Sequence, residues 1–184
     1  MRELSLHILD IVQNSIAAEA SRIGIEIQED PVGDRVWFEI RDDGFGMDEE
    51  TLAKVTDPFF TTRTTRKVGL GIPMLKFMAM DCGGNVEIES TPGKGTRIKT
   101  IMQRSHIDRP PLGNMADTML TLITGSDTID FEYHHGIGDR SFDFSTSEMR
   151  EILGDVSFRD PEVAAWLRGF LTEGENALYE EADS

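Results

Sequence analysis

Cysteine is nearly absent from this chain: Cys82 stands alone among 184 residues, so no internal disulfide can form. That usage fits a reducing compartment. No signal peptide opens the sequence, and a cytoplasmic protein is expected. No apolar run approaches the roughly 18–20 residues of a membrane span. Cations are scarce as well: 18 Lys and Arg stand against 34 Asp and Glu, a net charge of −16. Such a surface repels nucleic acid and anionic membranes, which excludes broad polyanion binding but not one small basic pocket. What is present, 39% apolar and 28% charged residues, is ordinary for a globular protein long enough to build a core.

The charge is unevenly spread. Residues 1–103 hold 12 basic and 17 acidic side chains, and residues 104–184 hold 6 and 17. Between them lies "RSHIDRPPLGN", where Pro110 and Pro111 interrupt regular structure. A boundary near residue 104 is therefore expected. It separates a domain at 1–103 from an acidic α+β module at 104–184 that binds a partner or dimerises.

The first part alternates helices and strands. Leu4, Ile8, Ile11 and Ile16 repeat with a helical period. "RIGIEIQE" and "RVWFEIR" alternate apolar and polar residues as half-buried strands do. "MDEETLAKV" reads as a short helix capped by Asp48. "GIPMLKFMAMDCG" is apolar on most sides and reads as a buried helix. "NVEIES" and "TRIKTIMQ" form a hairpin around "TPGKG". The pattern predicts an α/β two-layer sandwich, with a mixed or antiparallel sheet covered by helices on one face. The second part reads as a helix at about 113–123, a hairpin over "IDFEYHHGIGDRSFDF", and helices after Ser145 and from Asp160. Trp166 is expected to face inward.

Several short stretches point to chemistry. On the first helix His7, Asp10 and Asn14 form one polar stripe, which on most helices is simply a solvated face. Here the helix is otherwise apolar nearly all round, so the stripe calls for a partner or a cavity. An Asp and an Asn one turn apart suit a proton acceptor and a metal-oxygen ligand. "EIRDDGFGM" ends a strand with Asp42, Asp43, Gly44, Phe45, Gly46 and Met47. This is either a plain turn or a carboxylate placed to accept from an exocyclic amine, with glycines that let a flat ring approach. Thr96, in "TPGKGT", places a hydroxyl near that carboxylate. "TTRTTRK" packs Thr61, Thr62, Arg63, Arg66 and Lys67 just before Gly69, Leu70 and Gly71, and a helix start of that kind attracts phosphate. No GxxxxGK[ST] P-loop is present.

In this order the stretches resemble the N, G1, F, G2 and G3 boxes of the histidine-kinase ATP-binding domain. That family belongs to the superfamily shared with gyrase, heat-shock chaperones and mismatch-repair ATPases. The resemblance covers about residues 1–103 and implies ATP and Mg²⁺ as ligands. It implies that Asn14 holds Mg²⁺ and that Asp42 binds the adenine amine, backed by Thr96. Gly44, Gly46 and Met47 would shape the base pocket. Phe59 and Phe60 would hinge a lid running to about Val68, carrying Thr61, Thr62, Arg63, Arg66 and Lys67. Gly69, Leu70 and Gly71 would meet the phosphates. Lys67 stands where kinases often have glycine. The sequence as given opens at the N box, so autophosphorylation of the usual sensor-kinase kind is not expected.

Three functions follow from the resemblance. The first is a kinase acting in trans on a protein phosphoacceptor, with Asp10 as general base. The second is an ATPase that switches conformation, with Asp10 activating water. The third is a non-catalytic ATP/ADP-sensing module. A homodimer is one form the partner could take. His106, His134 and His135 are expected to be structural or exposed.

Overall fold

The computed structural model describes residues 3–57 and 71–180. Its elements are α1 (Leu4–Ala17), β1 (Arg22–Asp30), β2 (Arg35–Asp42), α2 (Glu49–Val55), α3 (Gly71–Asp81), β3 (Asn85–Thr91), β4 (Gly95–Gln103), α4 (Met115–Gly125), β5 (Asp130–Ile137), β6 (Arg140–Ser145), α5 (Thr146–Leu153) and α6 (Pro161–Glu180). Six strands form one mixed sheet in the order β3-β4-β2-β1-β5-β6. All neighbours are antiparallel except β1 and β5, which run parallel. This is the expected α/β sandwich.

Strand alternation decides which face is covered. Ile23, Ile25 and Ile27 of β1 pair across the sheet with Ile40 and Phe38 of β2 and with Phe131 and Tyr133 of β5. All of these side chains are buried, and helices cover this face. The opposite face is polar and cross-linked. Arg97 bridges Glu39 at 2.7 Å and Glu89 at 3.2 Å, and the Lys99 amine lies 4.1 Å over the Trp37 ring.

The expected boundary at residue 104 does not divide the sheet. β5 pairs with β1 from Asp130 to Ile137, so residues 104–184 extend the sheet begun by residues 1–103. The linker has a local task too. Glu3, at the N-cap of α1, makes no capping bond, and the Pro111 and Leu112 carbonyls instead accept from the Leu4 and Ser5 N–H groups at 2.9 and 2.8 Å. Two donors that a helix start leaves unpaired are satisfied in this way.

Two expectations about helices are corrected. α3 is not buried all round: Ile72, Leu75 and Ala79 face the core, while Met74, Phe77 and Met80 are exposed, because α3 is an outer-layer helix with one packed side. Trp166 does not face inward. The buried side of α6 is Leu167, Leu171, Glu175 and Leu178, and Trp166 falls on its flank at 50% exposure. Among the described residues, no helix is long and apolar enough to cross a membrane.

A buried ionic knot ties α6 to the sheet. His135 Nδ1 lies 2.8 Å from Glu175, and Nε2 lies 3.6 Å from Glu29, a charge contact rather than a hydrogen bond. Tyr133 donates to Glu175 at 2.6 Å, Tyr179 to Glu29 at 2.9 Å, and Arg104 to Glu29 at 3.1 Å. Burial alone would lower the His135 pKa, but Glu175 and then Glu29 override it and raise it to about 9. Burial alone would raise that of Glu29, but His135, Tyr179 and Arg104 lower it to about 2.

A raised folded-state pKa gives stability that is complete below the unfolded value, near 6.5, and is lost as pH rises through about 9. The depressed Glu29 acts in the opposite sense, stabilising above about 4.5 and losing that stability as pH falls toward 2. Urea unfolding between pH 6.5 and 9 is therefore expected to show stability falling by at most about 1.4 kcal/mol per pH unit from His135. His135→Gln should remove that slope and cost about 3–5 kcal/mol at neutral pH, because buried Glu175 loses its cation and Glu29 keeps only Arg104. A variant as stable as wild type would refute the ionic account.

Candidate nucleotide site

The β2 strand ends in two adjacent aspartates, and alternation sends them to opposite faces. Asp43 turns outward and is spent on structure: it accepts from the Ser21 and Arg22 N–H groups at 2.8 and 2.9 Å and from the Ser21 hydroxyl at 2.5 Å. Asp42 turns toward the helices. Its Oδ2 accepts from the Ser15 hydroxyl at 2.6 Å, and its Oδ1 accepts from Gly44 N–H at 2.9 Å and Thr96 N–H at 3.2 Å.

Asp42 lines a cavity of about 420 Å³ between α1, α2, the start of α3 and the β3–β4 hairpin. Ile11, Met47, Val55, Ile72 and Ile98 supply apolar walls, while Asn14, Ser15 and Thr96 add polar groups. The size and the few convergent polar atoms suit a small organic ligand. A carboxylate has about four lone-pair positions, and three are taken by Ser15, Gly44 and Thr96, so Asp42 keeps one acceptor position.

The structure brings Asn14, Asp42, Gly46, Met47 and Thr96 to one cavity. Asn14 is half-buried and has no side-chain hydrogen bond among the described residues. Asp10 is exposed one turn earlier, and a β-carbon on Gly71 would lie 3.9 Å from Asp10 Cβ, so α3 begins beside it. Phe59, Phe60, Thr61, Thr62, Arg63, Arg66, Lys67, Gly69 and Leu70 lie outside the described residues.

Thr96 touches Asp42 through its amide and not through its hydroxyl. That hydroxyl lies 2.8 Å from Ser90 Oγ, which also accepts the Met47 N–H and donates to the Gly95 carbonyl. Gly46 lines the cavity, and backbone packing adds a steric reason for both glycines. A β-carbon at Gly44 would meet the Ala18 carbonyl at 2.7 Å, and one at Gly46, whose φ is +69°, would meet the Thr91 carbonyl at 2.1 Å. Glycine is required there so that the loop can seat against α1 and the hairpin. His7 is 3% exposed with neither ring nitrogen hydrogen-bonded, and burial lowers its pKa.

Ser15 and Ser90 were not foreseen. Ser15 carries a readable signal, since it lies one turn after Ile11 on the apolar side of α1, where a hydroxyl needs a partner. Ser90 carries none, because its role depends on hairpin register.

A helix-covered mixed sheet with an aspartate flooring an apolar pocket defines a ligand-binding α/β sandwich. Residues 2–106 match the family described as histidine kinase-, DNA gyrase B- and HSP90-like ATPase, and the chain belongs to that family. It therefore carries an ATP-binding domain. A putative sensor protein of Shewanella frigidimarina is 33% identical over 109 residues, covering 58% of this chain and 17% of the relative. The sensor kinase CckA of Brucella abortus is 36% identical over 93 residues, covering 50% of this chain and 10% of the relative. The chain thus spans only a small part of these relatives' length. The Aquifex aeolicus MutL ATPase domain complexed with ADP shares the fold, with a TM-score of 0.50 and 14% identity over 83% of this chain and 68% of that one.

Ser15→Ala is expected to leave Asp42 Oδ2 without its donor and to cost about 1–3 kcal/mol in urea unfolding. An unchanged midpoint and slope would show that this hydrogen bond does not support the site.

Proposed function

We propose that the chain binds Mg·ATP in this cavity and transfers the γ-phosphate to a separate protein in bacterial signalling. The observation that carries this reading is the acceptor position left on Asp42 inside an apolar pocket. An adenine amine supplies the matching donor, whereas guanine presents a carbonyl there and would meet an acceptor with an acceptor.

The donor set suits Mg²⁺. Among the described residues no group of three or more His, Cys, Asp or Glu side chains is arranged to hold a metal, and Asn14 offers one free amide oxygen. Mg²⁺ commonly takes one or two protein oxygens and completes its shell with phosphate and water. When bound, it would neutralise phosphate charge. Asn14 would hold it, and the α3 start at Gly71 would present N–H groups to the phosphates. Asp10, exposed beside that start, would take the proton of an acceptor hydroxyl or imidazole as the new bond to the γ-phosphorus forms and ADP leaves. On sequence grounds Arg63, Arg66 and Lys67 supply further charge toward the γ-phosphate.

A second reading uses the same position of Asp10. With no acceptor protein, that carboxylate would orient water instead and the outcome would be ATP hydrolysis, the activity in the family's own description.

Incubation with γ-labelled ATP separates these readings. Label on a second protein is expected for the kinase, free phosphate alone for the ATPase, and neither for a sensing module. Calorimetry tests the site itself. Asn14→Ala should remove the Mg²⁺-dependent part of ATP affinity, and Asp42→Asn should cost about 1–3 kcal/mol of binding. Wild type binding GTP as tightly as ATP would overturn the role of Asp42. Neutralising Arg63, Arg66 and Lys67 together should weaken ATP more than ADP, and equal losses would remove them from the γ-phosphate.

A further inference from the structure

β6 is the last strand of the sheet, so among the described residues one side of its backbone has no strand partner. The two-residue turn at Gly138, whose φ is +59°, and Asp139 makes Ile137 and Arg140 a hydrogen-bonded pair. Phe142 and Phe144 then bond β5 in turn. Ser141 and Asp143 point their amide and carbonyl groups outward, where no described residue meets them. Sheet edges are usually blunted by Lys, Pro or a bulge. β6 reads RSFDFS, with neither Lys nor Pro, and pairs with β5 residue for residue.

The two faces beside this edge differ in chemistry. On the helix side, Phe170 of α6 packs on Phe142 and Phe144 at 5.7 and 6.0 Å, and Trp166 stacks on Phe170 at 5.2 Å. The other flank of α6 looks inward, where Arg168 reaches Asp117 of α4 and Tyr179 reaches Glu29 of β1. Trp166 and Phe170 therefore lie on the edge side, 50% and 37% exposed. On the open side, a cavity of about 430 Å³ borders β6 and α5. It holds five carboxylates, Glu26, Glu39, Glu132, Asp143 and Glu148, against one guanidinium, Arg41. Glu39 is paired with Arg41 and Arg97, and Asp143 is taken by His134 at 2.6 Å. Glu132 has only Arg22, at 3.9 Å, in an exposed pair of little strength. Glu26 and Glu148 have no ion pair among the described residues. Three acids thus remain for an incoming cation.

We propose that β6 takes up an extended segment of a partner protein in which basic and apolar side chains alternate. Strand addition of this kind draws affinity from main-chain hydrogen bonds and specificity from alternate side chains. Residues of the added strand opposite Phe142 and Phe144 turn to the helix side and cover the aromatic ledge. Those opposite Ser141, Asp143 and Ser145 turn to the open side, toward Glu132 and Glu148. Apolar side chains fit the first set, and Lys or Arg fits the second. Charge selects the occupant, because a chain of net charge −16 repels its own copy and attracts a cationic strand. The inference rests on the reading of residues 104–184 as a partner-binding region, and it does not depend on the nucleotide reading.

Titration of the full chain, without nucleotide, with short blocked peptides tests the proposal. A peptide alternating Lys and Val is expected to bind, more weakly as salt rises, and one alternating Glu and Val is not. The same Lys and Val residues regrouped into two blocks should bind about tenfold more weakly, since they cannot send charge to one face and apolar groups to the other. Glu132 and Glu148 are exposed and Trp166 is half-exposed, so their variants should fold, which circular dichroism checks. Glu132→Lys combined with Glu148→Lys should weaken the alternating peptide about tenfold, and Trp166→Ala by a similar factor. No uptake of the Lys–Val peptide overturns the proposal, as does equal binding of the regrouped peptide or wild-type affinity in either variant. Sedimentation showing a dimer that excludes the peptide would assign the edge to a second copy and overturn the foreign strand as occupant.

Discussion

Glu29 cannot be buried alone, and much of the fold follows from how it is satisfied. β1 presents Ile23, Ile25 and Ile27 to the core, and the next residue in that row is an acid with 7% exposure. An isolated carboxylate at that depth would cost several kcal/mol. Its partners come from far along the chain: Arg104 from the linker, His135 from β5 and Tyr179 from α6. One apolar row thus ends in a charge that only residues beyond position 103 can neutralise. A division based on composition therefore falls across one sheet.

Local pattern made much of this legible. Alternation located β1 and β2, the turn in "TPGKG" located β3 and β4, and the adjacent aspartates before Gly44 pointed to the pocket floor. The parallel pairing of β1 with β5 was not legible, because strand partnership at such separation leaves no trace in either strand's own period. The helical phase of α6 was misjudged for a physical reason. Trp166 is large and apolar, yet Leu167, Leu171 and Leu178 occupy the side that meets the sheet, and hydrophobicity alone does not rank the two sides. α3 shows the same limit, since Met74, Phe77 and Met80 made it look buried from every direction. Of the site residues, Asn14, Asp42, Gly46, Met47 and Thr96 line the cavity as a group, and the long segment around Arg63 lies outside the described residues.

The two aspartates show how environment separates neighbours of identical chemistry. Desolvation by burial, the largest single effect, would raise the Asp43 pKa, but hydrogen bonds from Ser21 and Arg22 together lower it. Asp42 is held from two sides by Ser15 and the Gly44 and Thr96 amides, which fix its plane and leave one position facing the cavity. A pre-oriented acceptor in an apolar pocket loses little entropy on meeting its ligand. Glycine at 44 and 46 is part of the same arrangement, because any side chain there would push the loop away from α1 and free the carboxylate.

Strand order places the pocket and the free edge on opposite sides of β1. β2 and β4 carry the pocket, β5 and β6 carry the edge, and Ile23 of β1 is the shared neighbour, opposite Asp42 on one side and Phe131 on the other. A shift of β6 could reach Asp42 through the sheet only by moving β1. That strand is anchored by three fully buried isoleucines and by the Glu29 knot, and close-packed side chains of this kind do not slide by fractions of a residue. A contact made at that edge would therefore leave the pocket's geometry intact.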